Sequence, residues 1–201
     1  MDLQKFNVKF FVASPGSVQL DDFIYIFNSW IQASDGAYYD IADYSHMYGG
    51  PGLVLVAHEA NVSMDNTWNR WGLLYNRKQV LQGSNSDKLR WVFRAALENC
   101  RRIEEEPSIR GRIRFLGNEA LFLVNDRLVA PNTEETFRAV RPDLEDLART
   151  LYAGASFDLE PGTRDRRDRF CVKLKTPVSF DVVTLLRNLG ERDDAGERAI
   201  T

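Results

Sequence analysis

Both histidines of the chain, His46 and His58, lie in one stretch, IADYSHMYGGPGLVLVAHEAN, which predicts two strands around a glycine-rich turn. If the turn centres between Gly50 and Pro51, antiparallel pairing places Asp43 opposite His58 on one face. A carboxylate beside an imidazole raises the imidazole pKa or fixes its tautomer, which prepares a general base. We therefore expect either a catalytic base at His58, oriented by Asp43, or a structural histidine bonded to Asp43 or to the backbone, and we favour the structural role.

The same hairpin is also a possible metal site, because a carboxylate near two imidazoles is a common ligand set. In the predicted register His46 lies opposite Leu55, on the face away from His58. The two imidazoles then do not converge, and we expect no metal. All of these expectations depend on the register, because a slip of one residue moves every side chain to the other face.

A second cluster is the arginine face, which we define as Arg110, Arg112 and Arg114. These residues alternate with apolar ones in IRGRIRF, so on a strand the three guanidiniums line one face. Guanidinium groups bind phosphate and carboxylate bidentately, which makes an anion site or an RNA contact possible. The arginines can equally pair with the glutamates at 104–106, and such internal pairing is the favoured alternative.

The common catalytic and cofactor motifs are missing from the sequence. It contains no GxxxxGK[ST], GxGxxG, HExxH or GxSxG. GGPG joins two predicted strands, whereas a phosphate-binding loop precedes a helix, so it indicates a turn. We expect no cofactor. The formal net charge of −3 argues against duplex nucleic acid, which requires a basic surface.

Composition and length favour one globular domain in the cytoplasm. The chain has 201 residues, of which 44% are hydrophobic. Its start, MDLQKFNVKFFVA, predicts a strand rather than a signal peptide, because Lys9 interrupts the apolar run. No run approaches the roughly 20 apolar residues of a membrane span. Cys100 and Cys171 are not clustered, which excludes a CxxC site and favours buried thiols in a reducing compartment.

Hydrophobic periodicity predicts the elements that must position these residues. In chain order they are a strand at 6–12, a helix at 20–32, hairpin strands at 38–45 and 53–59, a strand at 71–78, a helix from about 86 to 106, a hairpin at 109–127 with its turn at Gly117 and Asn118, a helix at 132–153, strands at 156–160 and 169–175, and a helix at 179–190. This order has several hairpins and few βαβ units. We therefore predict an α+β domain at 1–190, with a mainly antiparallel sheet and helices packed on one face, followed by a polar, flexible tail at 191–201.

Two helical surfaces are candidates for partner contact. The last helix has apolar residues on more than one side, which is typical of a helix that is deeply buried or shared with another chain. Trp91 falls on the side of its helix opposite the core stripe, where a large aromatic needs a neighbouring element or a partner to cover it. The predicted partner-binding residues are Trp91, Val182, Leu185, Leu186 and Leu189, and for the last helix burial in the core is the favoured alternative.

Several phrases resemble a set of uncharacterised conserved bacterial proteins of similar length. They are IADYSH, GPGLVLVAHEAN, GLLYNRK and LVNDRLVAPNTEETF, and the resemblance extends from about residue 5 to residue 175. It implies a bacterial cytosolic protein. It implies no activity, so no functional residue is transferred.

Three functions are consistent with these features of the sequence. The missing catalytic motifs favour a non-enzymatic cytosolic protein that binds another protein or its own copy through the last helix and Trp91. The alternative is a hydrolase or lyase of a small anionic substrate, with His58 as general base, Asp43 as its orienting group and arginines holding the anion. The second alternative is RNA binding through the arginine face, which must overcome the net charge.

Overall fold

The computed structural model describes residues 1–14 and 18–190, and the predicted tail at 191–201 lies outside them. The elements are β1 (Phe6–Val12), α1 (Leu20–Ala33), β2 (Tyr38–Tyr44), β3 (Gly52–Ala57), β4 (Ala60–Asp65), a 3₁₀ turn (Thr67–Asn69), β5 (Gly72–Arg77), α2 (Asn85–Glu105), β6 (Phe115–Val124), α3 (Glu134–Leu151), β7 (Asp158–Pro161), β8 (Cys171–Lys175) and α4 (Val182–Asn188).

The strands form one antiparallel sheet in the order β2-β3-β4-β5-β1-β6-β8-β7. Alternation in β1 sends Phe6, Val8 and Phe10 into the main core beneath the helices. The helix α2 packs on β1 and β5, and α1 packs on β2 and β3. The predicted α+β domain, with a mainly antiparallel sheet and helices on one face, is confirmed.

Two strand predictions were wrong. Residues 60–65 form β4, between β3 and β5, and this strand was missed although Ala60, Val62 and Met64 alternate with polar residues in ANVSMD. The segment 109–127 is not a hairpin, because β6 continues through Gly117 and Asn118 as one strand. A Cβ at Gly117 would lie 2.2 Å from the backbone oxygen of Phe180. This glycine therefore permits a close backbone approach instead of making a turn.

Both cysteines are free and buried, as predicted. Cys100 belongs to the main core, whereas Cys171 belongs to a small apolar cluster with Phe11, Leu121 and Leu123. Burial raises the pKa of Cys171 to about 11 and raises the pKa of Cys100 well above its ordinary range. Both thiols therefore keep their protons in the folded protein at pH values where an exposed thiol ionises.

We expect the two thiols to lower the free energy of unfolding when the pH rises from about 8 to about 10.5. In this range the unfolded chain releases its thiol protons and the folded chain does not, so each proton released favours unfolding. Urea unfolding of the reduced protein at both pH values measures the loss. The variant Cys171→Ala should lose less stability over the same range, and an equal loss would contradict this account.

Candidate functional site

The predicted register of the histidine hairpin was wrong. The structure pairs Asp43 with Leu53 and Ile41 with Leu55. The chain turns through the whole loop from residue 45 to residue 51, which centres the hairpin near Tyr48 and not between Gly50 and Pro51. Asp43 therefore lies near this loop, whereas His58 follows β3 at the opposite end of the hairpin.

Neither member of the predicted pair has the environment of a catalytic group. The His58 side chain is 62% exposed, and its Nε2 lies 4.0 Å from the nearest carboxylate, that of Glu59. Asp43 accepts a hydrogen bond from the Ser45 amide at 2.8 Å. Hydrogen bonds from Ser45, with a smaller contribution from the charge of His46, hold the pKa of Asp43 below its usual value. Asp43 stabilises the loop, and no carboxylate orients His58 in the predicted way.

The arginine face is not a strand face, because residues 107–112 form turns and β6 begins at Phe115. The three arginine side chains contact separate partners. Arg110 donates to the Glu105 carbonyl at 3.1 Å, and Arg112 lies 3.6 Å from Asp22.

Arg114 lies 3.4 Å from Glu104. Burial raises the pKa of this glutamate, and hydrogen bonds from the Phe115 amide and Arg114 oppose the increase. One of the three arginines, Arg114, therefore pairs with a glutamate of the 104–106 segment, whereas Arg110 contacts only the backbone of that segment. The three guanidiniums do not share one strand face, as the prediction of a common anion or RNA surface required.

The helical residues predicted to bind a partner are largely covered by the chain itself. Val182, Leu185 and Leu189 are buried in the core, and Leu186 is half-buried against it. The ring of Trp91 packs on Tyr75, and the guanidinium of Arg77 lies 4.7 Å from its centre. A neighbouring strand thus covers Trp91, and among these residues of α4 only Leu186 keeps part of its side chain open.

Exposed apolar side chains occur at several places on the surface, and three of them lie on two neighbouring loops at one end of the sheet. Met47 is 50% exposed, Tyr48 94% and Trp68 46%. The Asn66 amide donates to the Gly50 carbonyl at 3.2 Å, which joins the β2–β3 loop to the β4–β5 loop. We call Met47, Tyr48 and Trp68 the aromatic tip. Aromatic residues and methionine are enriched at protein interfaces.

The Trp68 loop has an unusual backbone. Trp68 has a φ of +62° and Asn69 a φ of +55°, which is the left-handed region. A residue other than glycine in this region costs about 1–3 kcal/mol and persists only where its surroundings impose it. Neither residue is a glycine, so the neighbouring structure must hold the loop.

A buried ion pair holds the first end of this loop. On the sheet face away from the helices, Lys9 Nζ lies 2.5 Å from Asp65 Oδ1, and both side chains are 2% exposed. Asp65 also accepts hydrogen bonds from the Thr67 amide and hydroxyl, and Lys9 donates to the Thr67 carbonyl. Burial lowers the pKa of Lys9, and the charge of Asp65 opposes this effect. The pair connects β1, β4 and the start of the loop.

A second ion pair holds the other end. Arg70 donates to both carboxylate oxygens of Glu119 on β6, at 2.7 and 2.9 Å, and its guanidinium lies 3.8 Å from the centre of the Phe11 ring. Burial alone would raise the pKa of Glu119, but the hydrogen bonds and charge of Arg70 outweigh it and keep that pKa below its usual value. We call the Lys9–Asp65 and Arg70–Glu119 pairs the loop clamp.

The sequence contained a partial signal for this site. Tyr48 and Trp68 lie in polar or glycine-rich segments, MYGGPG and NTWNR, outside every apolar periodicity. Lys9 interrupts the apolar pattern of β1. Nothing local indicates that Lys9 and Asp65, which are 56 residues apart, form a pair.

Comparison of the chain with protein-family models, with curated proteins and with solved structures finds no match. The resemblance to bacterial proteins therefore stays a prediction. Among the described residues, no group of three histidine, cysteine, aspartate or glutamate side chains could hold a metal ion. In the same part of the chain, no helix has both the length and the apolar character needed to cross a membrane.

Proposed function

We propose that the chain is a non-enzymatic, bacterial cytoplasmic protein that binds another protein through the aromatic tip. One observation favours this function above the others: Trp68 is held outside the core, in a left-handed conformation, by the loop clamp. Two free thiols agree with a reducing compartment. The proposal keeps the protein-binding function expected from the sequence and moves it from the last helix to the tip.

Association costs less free energy when the binding surface is ordered beforehand. Tyrosine and tryptophan bury a large area for few rotatable bonds, and such residues dominate binding energies. A loop already held in its binding conformation loses less entropy when a partner docks. The loop clamp supplies this order before binding. An unclamped loop with the same residues would bind more weakly.

The hydrolase or lyase alternative has less support, because Asp43 and His58 lie at opposite ends of their hairpin. RNA binding has less support too, since the arginines that would contact the phosphates have separate protein partners. Neither alternative explains why a tryptophan is held outside the core by two ion pairs.

Photo-crosslinking in the native cells tests the proposal. Benzoylphenylalanine at position 48 should give a covalent adduct of defined mass after illumination. The matched control is position 128, because Leu128 is 97% exposed on a different loop. Adding Trp68→Ala should reduce the adduct at 48 at least about tenfold, since a central aromatic anchor contributes that much or more to affinity.

The mass of the adduct identifies the kind of partner. An adduct of twice the chain mass means a second copy of this chain, and any other mass means a different protein. No adduct from position 48, or the same adduct from position 128, would contradict protein binding at the tip. Retention of the adduct at full yield in Trp68→Ala would contradict the role of the clamped loop.

A further inference from the structure

A groove of about 380 Å³ lies in the helical layer, between α2 and α4. One wall consists of Arg94, Glu98 and Arg101, which are spaced four and three residues apart and so share one face of α2. The other wall is formed by α4, with Val183, Leu186 and Arg187. Two helices thus bring basic and apolar side chains to one concave surface.

The groove is positively charged. Three guanidiniums and one carboxylate among these side chains leave a net charge of +2, and Glu105 beside Arg101 reduces it to +1. Arg94 is only 19% exposed, with Nε 3.1 Å from Glu98 and a hydrogen bond to the Leu186 carbonyl at 3.3 Å. This arginine is therefore a fixed part of the wall.

The other two arginines are placed to reach a ligand. Arg101 is 48% exposed and lies 3.5 Å from Glu105, and such a surface ion pair costs little to break. Arg187 is exposed on the last turn of α4. The groove thus combines one immobile guanidinium with two that can turn toward an anion.

We infer that this groove binds a small organic phosphate, a phosphate monoester with an apolar group. Guanidinium groups bind phosphate oxygens bidentately, and a phosphate monoester has a charge of about −1.5 to −2 at pH 7, which is opposite in sign to that of the groove. Val183 and Leu186 provide an apolar surface for the rest of the molecule. The volume lies near the small end of the range for small-molecule sites, about 300–1,000 Å³. This inference is independent of the aromatic tip.

Titration of the isotope-labelled full-length protein with phenyl phosphate, followed by NMR, tests the inference. Saturable shifts should appear for residues of α2 and α4. Arg187→Gln should weaken binding about tenfold, because it removes a charge-assisted hydrogen bond. Arg149→Gln is the matched control, an exposed arginine of α3 that pairs with Glu145, and it should leave binding unchanged.

A second variant tests the apolar wall. Val183 is 50% exposed, so Val183→Ala should not affect folding. This variant should weaken phenyl phosphate a few-fold, because apolar contact area is lost, and should leave the binding of inorganic phosphate unchanged. The inference is overturned if phenyl phosphate gives no saturable shift, if Arg187→Gln binds like the parent protein, or if inorganic phosphate binds the parent as tightly as phenyl phosphate.

Discussion

Replacing Asp65 with alanine should lower the free energy of unfolding by about 3–5 kcal/mol, because it leaves the Lys9 ammonium buried without its counter-ion. Lys9 is 2% exposed in the folded chain, so water does not replace the lost carboxylate. Urea unfolding at pH 7 measures the change. Glu160→Ala is the matched control, since it removes a carboxylate that pairs with Lys175 on the exposed sheet edge, and it should change stability by less than about 1 kcal/mol.

The pH dependence of Asp65→Ala gives a further check of the same prediction. Burial already lowers the pKa of Lys9, and the loss of Asp65 should lower it more. Between this lowered value and the ordinary 10.5, the unfolded chain holds a proton that the folded chain has released. The stability of the variant relative to the parent should therefore rise with pH between the Lys9 pKa of the variant and that of the parent, and stay level above it.

A double variant separates the lost charge from the lost packing. Adding Lys9→Met should restore much of the stability of Asp65→Ala, because an apolar side chain of similar length needs no counter-ion. Amide hydrogen exchange in residues 66–71 should be faster in Asp65→Ala, since the first half of the loop clamp is gone. If Asp65→Ala unfolds at the same urea concentration as Glu160→Ala, the ion pair does not hold the loop.

Replacing Gly117 with alanine should cost about 3 kcal/mol, at the upper end of the range for an overpacked site. The new Cβ would lie 2.2 Å from the backbone oxygen of Phe180 and 3.2 Å from the Leu185 side chain. A backbone atom cannot turn aside as a side chain does, so the segment leading into α4 must move away from β6. Burial of Val182 and Leu185 would then be reduced.

The matched control for Gly117→Ala is Asn118→Ala, at the next position of β6. It should change stability by no more than about 0.5 kcal/mol. Both variants are compared by urea unfolding. Equal midpoints for the two would mean that the segment at Phe180 can shift without cost and that the glycine is not required for the close approach.

Much of the fold could be predicted because its signals are local. In β1 the alternation of Phe6, Val8 and Phe10 matches a strand with one face toward the core. In α2 the apolar spacing and the Ser84 cap, which the Asp87 amide contacts, agree with the predicted helix. These patterns can be recognised without knowing the distant residues that they contact. They arise because one face of a strand or helix is buried along its whole length.

Gly117 shows why a local signal can mislead. A glycine followed by asparagine is typical of a hairpin turn and is equally compatible with a strand that another backbone approaches closely. The choice between them depends on Phe180, which is far along the chain. In β4, Ala60, Val62 and Met64 alternate with polar residues and belong to the main core. The polar face is partly buried as well, because Asp65 pairs with Lys9.

The sequence by itself determined the fold class, the main helical and strand periodicities and the absence of common catalytic motifs. The register of the β2–β3 hairpin, the aromatic tip and the groove were decided only by the tertiary structure. The loop clamp joins Lys9 to Asp65 across 56 residues and Arg70 to Glu119 across 49. Such contacts depend on which strands become neighbours in the sheet. The packing of the whole chain determines that order, and no single segment does.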